Sequence, residues 1–354
     1  MKSKKIFSDK FIYTIVSIFL GFIVGGIVLS LAGFNPFEGY AVMINGIFGE
    51  VRYIAWTIIR ATPLILTGLS VAFAFRTGLF NIGAEGQFIV GALSAALVGY
   101  FVKLPAIIHI PLTLISGCLA GALWAVIAGF FKARFGVNEV ISTIMLNWIA
   151  LYFQNYVVML EGFRKPNSEA SYDIQDTAMI NIDWLRNIVG PATRVNWGIV
   201  ISLILVVLIA YILYKTVLGF ELRAVGFNKY AAEYAGINVN KSMITSMAIA
   251  GLLAGAAGAM HVMGVTRRVT ILAAMEGYGF DGIAVSLIGN NTPLGVVLGA
   301  LLFGGLKYGG SRLQTIGAPT EIINIVIGSI IYFIAASRLV KILVDKVKGG
   351  KANA

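Results

Sequence analysis

Charge is scarce in this chain: only 12% of its 354 residues are Asp, Glu, Lys or Arg, while 58% are apolar. A soluble domain of this size carries roughly twice that charge, so the composition describes a polytopic membrane protein, with a mean hydropathy of +0.87. Cysteine is almost missing. Cys118 stands alone, which excludes an intrachain disulfide or a multi-thiolate metal centre. His109 and His261, the two histidines, are far apart and show no HxxxH or His/carboxylate spacing, so no metal site is expected. No GxxxxGK[ST] loop occurs, because Gly349-Gly-Lys351 is followed by alanine; the chain is expected to bind no nucleotide of its own. Nor is there a convincing nucleophile and base pair, so an enzyme is not expected. Acidic residues are outnumbered 16 to 27, a net charge of +11. The excess sits at both termini and in short loops, a topology signal rather than a nucleic-acid footprint.

What is present is a series of long apolar runs. Residues 1–10, with Lys2, Lys4, Lys5 and Lys10, are expected to stay in the cytoplasm. The run Phe11–Ala32 is too long for a signal-peptide core and reads as an uncleaved span. Gly33–Tyr53 reads as an outside loop. Ile54–Phe75 follows, with Arg60 reaching back to the outer interface and Pro63 kinking the helix. Further spans are expected at Leu104–Phe131, with its Gly117-x-x-x-Gly121 pair, and at Val137–Leu160, where Asn138 and Glu139 suit a helix N-terminus. Glu161–Asn196 is the longest outside loop. Trp197–Tyr214 and Ser242–Gly264 are spans, the latter carrying Gly251, Gly255 and Gly258 on a small-residue stripe. The last span, Glu321–Ser337, is followed by a basic tail over 338–354 that the charge rule places inside.

Between Trp197–Tyr214 and Ser242–Gly264 lies a polar island, Leu218–Asn240. Asn228 can cap a short helix, Lys229–Ala235 are helix-compatible, and Gly236 sits where a left-handed residue would stop it. Tyr230 and Tyr234, spaced i and i+4, share one face, while Ala231 and Ala232 keep the surface thin around Glu233. Such a helix is built to dock on a partner.

Two polar-tipped, glycine-interrupted stretches stand in corresponding halves of the chain. The first is Asn81–Gln87, with Glu85; the second is Asn290-Asn291-Thr-Pro293. Irregular backbone at membrane depth is tolerated only inside protein or along a watery cavity, and paired broken helices point to a midplane substrate site and a weak internal repeat. Counting crossings, a dip and return around Asn290–Pro293 leaves the basic tail inside. The expected architecture is therefore all-α, a single transmembrane domain over 1–354, with about eight full crossings plus broken or re-entrant segments.

The run Arg223-Ala-Val-Gly226, Asn228, Ala231-Ala232, Tyr234-Ala235-Gly236-Ile237-Asn238 resembles the cytoplasmic coupling loop of ABC-importer permeases handling branched-chain amino acids, simple sugars and nucleosides. GLFNIGAEGQFIVGA (residues 78–92) and GVNEVISTIMLN, which ends at Asn147, are similar to matching segments of the nucleoside and simple-sugar members. The resemblance implies a multi-pass subunit in the cell membrane of a bacterium, with ATP bound by a separate ATPase subunit and no cofactor of its own. It implies docking of that ATPase on Arg223, Asn228, Tyr230, Ala231, Ala232, Glu233, Tyr234 and Gly236. Asn81, Glu85, Gln87, Asn147, Asn290 and Asn291 are the expected substrate path. The further partners it implies are a second permease (a paralogue by preference, or an identical copy), an external substrate-binding lipoprotein, and a nucleoside or, second, a sugar. The competing class is an ion-coupled carrier, for which Glu85 and Glu139 are the available carboxylates.

Overall fold

The computed structural model describes residues 2–336, so the basic tail over 338–354 lies outside the described residues. The first helices in chain order are α1 (Lys2–Leu31), α2 (Pro36–Phe48), α3 (Val51–Arg76), α4 (Ala84–Phe101) and α5 (Ala106–Phe135). They are followed by α6 (Glu139–Val158), α7 (Asp183–Val189), α8 (Gly198–Lys215), α9 (Val217–Phe227) and α10 (Lys229–Tyr234). The chain continues with α11 (Val239–His261), α12 (Tyr278–Ile288), α13 (Pro293–Ser311) and α14 (Thr320–Ala335). Among the described residues, β-structure is confined to three isolated bridges. The all-α membrane architecture expected from composition is what forms.

Six helices are long and apolar enough to cross a membrane: α3, α4, α5, α8, α11 with its extension, and α13 with its extension. Val16–Leu31 and α2, which meet at 118°, form a further bent pair. The sequence count of about eight is reached only by adding shorter or more polar helices. α6 is diluted by Asn147, Gln154 and Asn155, and α14 has 16 residues.

The chain divides into two compact units, Met1–Thr57 with Phe303–Ala354, and Ile58–Leu302. In the first, α1 lies against α14 so closely that a Cβ on Gly21 would stand 2.8 Å from the Ile330 Cα. The stretch expected to be a loop, Gly33–Tyr53, instead holds α2. Asn35 accepts from the Phe37 N–H at 3.0 Å and Pro36 opens the helix, a start signal in which cap and proline cooperate. The end of α13 returns to this unit, where Tyr308 stacks on Trp56 and Arg312 donates to the Tyr53 hydroxyl at 2.8 Å.

The second unit is built on α4, α5 and α11, packed backbone to backbone. A Cβ on Gly91 would lie 2.5 Å from the Gly255 Cα, and one on Gly121 would lie 2.7 Å from it. The glycines of α5 and α11 noted in the sequence therefore form one seam, where dispersion between bare backbones replaces side-chain packing. α12 runs beside the second half of α3: the Thr67 hydroxyl donates to the Tyr278 carbonyl at 2.9 Å, and Arg76 Nε donates to the Asn291 carbonyl at 2.9 Å. With 11 residues, α12 is about half a span.

The segment 159–197 is an ordered cover rather than a floating loop. Phe163, Ile174, Ala178 and Ile180 are buried. Ile180 donates to the Met263 carbonyl, Ile174 to that of Arg267, and Trp197 to that of Ile180. This cover thus meets the C-terminal end of α11 and the start of α8. The opposite ends of the same two helices join α9 and α10.

Candidate translocation and coupling sites

The backbone is irregular in two places inside the second unit, and both meet at Glu85. After α3 ends at Arg76, residues 77–83 fold back so that Ala84, the first residue of α4, packs on Val71. Asn81 and Gln87 exchange paired amide hydrogen bonds of 2.9 and 3.0 Å, and Asn81 also donates to the Ser70 hydroxyl at 3.2 Å. Asn147 reaches in from α6, accepting from the Gly86 N–H at 2.8 Å and donating to the Ile82 carbonyl at 3.0 Å. All four side chains, Asn81, Glu85, Gln87 and Asn147, are 0–1% exposed.

Glu85 closes the second irregular segment. Its carboxylate accepts from the Gly277 N–H at 2.7 Å and the Gly279 N–H at 2.6 Å. These N–H groups open α12, and the first four such groups of a helix lack intrahelical partners. A carboxylate at a helix N-terminus is favourable both as acceptor and as the charge facing the positive end of the helix dipole. Gly277 takes φ +88° and Gly279 presses on the Glu85 backbone, so both positions need glycine.

The sequence places a dip and return at Asn290–Pro293, and the turn joining α12 to α13 stands there, with Asn290 and Asn291 both at φ +52°. Asparagine tolerates this left-handed conformation, which ends a helix. The Ser286 hydroxyl donates to Asn291 Oδ1 at 2.7 Å, and Arg76 fixes the Asn291 carbonyl. The pair thus sits at the far end of α12 from Glu85. Asn81, Glu85, Gln87 and Asn147 are brought together; Asn290 and Asn291 are not brought to them. A further irregular segment, not singled out in the sequence, lies in residues 267–277 between α11 and α12.

That segment follows a π-helical turn, Val262–Thr266, and then Arg267 at φ +65°. A π-turn interrupts the regular ladder and is common at functional sites. Beside it is a cavity of about 250 Å³ whose lining includes Phe88, Arg194, His261, Thr266, Arg268 and Glu276. Sequence reasoning considered His261 only as a metal ligand and passed over Thr266 and Glu276.

At the other end of α11 the polar island takes the shape its residues dictate. The Asn228 side chain accepts from the Tyr230 and Ala231 N–H groups at 3.0 and 3.1 Å. Gly236 is left-handed at φ +84°, and Ile237 donates back to the Ala232 carbonyl at 3.0 Å, closing the helix end. Ala232 is buried, while Tyr230 is 70% and Tyr234 98% exposed. Arg223 belongs to α9, donating to the Gly219 carbonyl at 3.2 Å and lying over the Tyr214 ring. Next to α10 runs a groove of about 690 Å³, lined by Tyr230, Glu233 and Gly236 and also by Lys132, Ala133 and Gly136 of the α5 end. Lys132 is paired with Glu139 at 2.8 Å, which accounts for that carboxylate without ion coupling. The α5 contribution to the groove was not visible in sequence, because it comes from a different turn of the chain.

Buried broken helices and a bundle of long apolar helices describe a multi-pass membrane permease. Residues 53–335 match the family described as the branched-chain amino acid transport system / permease component, and the chain belongs to that family. It is a multi-pass protein of the cell membrane. The guanosine ABC transporter permease protein NupP of Bacillus subtilis (strain 168) is 45% identical over 340 residues, covering 96% of this chain and 97% of its own length. The nucleoside ABC transporter permease protein NupB of Lactococcus lactis is 37% identical over 97% of this chain and 96% of its own. The glucose ABC transporter permease protein TsgB13 of Haloferax volcanii is 32% identical over 92% of this chain and 87% of its own. No solved structure matches the chain.

Proposed function

We propose that this chain is the permease subunit of an ATP-driven nucleoside importer, one permease domain that works with a separate ATPase. The observation that carries the reading is the end-to-end likeness to NupP, at 45% identity over 96% of the chain. α10 is the ATPase-docking element on the cytoplasmic side, with Asn228 and Gly236 shaping it and Tyr230, Ala231, Glu233 and Tyr234 supplying contact surface. The groove beside α10 extends that surface to the end of α5. Ala232 anchors the element from below, and Arg223 stiffens the helix that precedes it.

The cover over 159–197 faces outside and receives a substrate-binding lipoprotein. A second permease, by preference a paralogue, completes the translocation unit. Asn81, Glu85, Gln87 and Asn147 act on the path by holding two broken helices open at mid-depth, and Asn290 and Asn291 fix the returning turn. In an ATP-driven importer the Glu85 carboxylate orders backbone and carries no coupling ion.

The test is uptake of labelled nucleosides and of labelled glucose or ribose in cells lacking their own uptake systems. The cells express this chain with its ATPase, partner permease and binding protein. Concentrative nucleoside uptake that needs ATP and survives a protonophore is the expected result. Uptake of sugar alone would assign the other substrate class, and collapse under the protonophore at fixed ATP would make the protein a secondary carrier.

A further inference from the structure

We infer that the cavity beside the π-turn of α11 is where the permease receives the base of its substrate, and that it accepts a base with a lactam edge. The inference rests on the nucleoside reading above and adds the site. Three features single out this cavity. Its wall is a π-turn followed by a left-handed arginine, Arg267 at φ +65°, a backbone whose strain is retained where function needs it. Two buried polar atoms on that wall, His261 Nδ1 and Thr266 Oγ1, have no hydrogen-bond partner among the described residues. Each costs free energy unless something supplies a partner. Finally, two rings meet on the wall, Phe88 and His261 at 5.8 Å, and Tyr278, outside the cavity, stacks on Phe88 at 5.1 Å.

The chemistry of the lining selects the ligand. Glu276 approaches His261 Nε2 at 3.8 Å and is partly exposed, and its carboxyl oxygens accept hydrogen bonds. Arg194, on the same cavity, only donates, with one N–H given to the Val265 carbonyl. An accepting group and a donating group on one cavity complement an N–H beside a C=O. That pair is the lactam edge of hypoxanthine, guanine or uracil, and adenine lacks it. Phe88, with Ile89 and Ala92 beside it, supplies apolar surroundings for a planar ring. At about 250 Å³ the cavity is slightly smaller than the usual small-molecule pocket of about 300–1,000 Å³. It suits a base with the sugar left towards the opening.

The experiment pairs protein variants with a substrate lacking one hydrogen. Uptake of labelled inosine and of 1-methylinosine is measured in cells expressing the complete transporter, for wild type, Glu276→Gln and Thr266→Val. Membrane insertion and ATPase co-purification of each variant are checked alongside. Wild type is expected to prefer inosine by roughly tenfold to hundredfold, the value of a hydrogen bond to a charged group. Glu276→Gln should lose most of that preference by lowering inosine uptake while leaving 1-methylinosine uptake nearly unchanged. A merely structural Glu276 would lower both in proportion, and that outcome overturns the site. Thr266→Val, nearly isosteric, should weaken inosine uptake without altering insertion; unchanged kinetics in both variants would also overturn it. If wild type transports neither compound nor any other nucleoside, the functional reading fails first and takes the site with it.

Discussion

The Glu85 carboxylate and the Gly279 amide lie 194 residues apart in sequence and 2.6 Å apart in space. With Gly277 at 2.7 Å, this bond ties the entrance of α4 to the start of α12. Two interrupted helices are thereby fastened to each other by one side chain, and each charge-assisted bond contributes about 1.5–3 kcal/mol.

Replacing Glu85 separates the ordering of backbone from ion coupling. Glu85→Gln keeps one carbonyl acceptor but turns an amide NH₂ towards a backbone N–H, so the protein should lose thermal stability in detergent. Some ATP-dependent uptake should remain, insensitive to protonophore. Glu85→Ala removes both acceptors and should cost more stability, about 3 kcal/mol or above. Uptake by Glu85→Gln that becomes wholly protonophore-like in its failure, with stability intact, would instead mark Glu85 as an ion carrier.

The glycine seam makes a sharper stability prediction. Gly121→Val places a branched side chain where a Cβ alone would already stand 2.7 Å from the Gly255 Cα. Overpacking of this kind costs about 1–3 kcal/mol or more. The variant should show a lower melting temperature and a poor yield of folded protein, whereas Gly328→Val, where nothing stands within 4 Å, should change neither. Equal behaviour of the two would mean that α4, α5 and α11 do not pack as described.

On the polar island, fold and coupling should come apart. Tyr234 is 98% exposed, so Tyr234→Ala should alter stability by no more than about 0.5 kcal/mol. The same variant should reduce transport and the stimulation of ATPase activity by loaded receptor. Gly236→Val puts a β-branched residue at φ +84° and should loosen the α10 end as well. Wild-type transport in both variants would remove α10 from the docking surface.

Membrane orientation can be read with cysteines. Cys118 is the single native cysteine, so Cys118→Ala gives a clean background. Ser171, an obvious loop position in sequence, is fully buried and would react poorly whatever its side; Glu161 and Glu233 are exposed. An impermeant thiol reagent should label Glu161→Cys in intact cells and Glu233→Cys only in inverted vesicles. The reverse pattern would put α10 outside and end the coupling argument.

Local signals were legible in the sequence, and long-range ones were not. The Asn228 cap and Gly236 stop act within a few residues, so the polar island could be read almost atom by atom. The Asn35-Pro36 start was equally local, yet short apolar stretches between spans look like loops until a cap is sought. The break at Asn290-Asn291 was legible because left-handed asparagine is a local signal. The irregular stretch before α12 was not, because what holds Gly277 and Gly279 is Glu85, far away in the chain. Of the candidate path, Asn81–Gln87 was read as irregular backbone at the mouth of a span, and the chain is irregular there up to the start of α4 at Ala84. The cavity at His261, Thr266 and Glu276 is assembled from separate elements, and unpartnered atoms have no sequence signature.

α11 has a mechanical consequence. It is one unbroken helix of 23 residues, about 34 Å of hydrogen-bonded rod. The α10 turn is joined to its first residues, and the π-turn grows from its last. Its α4 and α5 neighbours touch it through glycine backbone, and near its start Met247 and Ala250 pack with Ala125 and Ala128. One continuous hydrogen-bonded rod therefore has the polar island at one end and the cavity wall at the other.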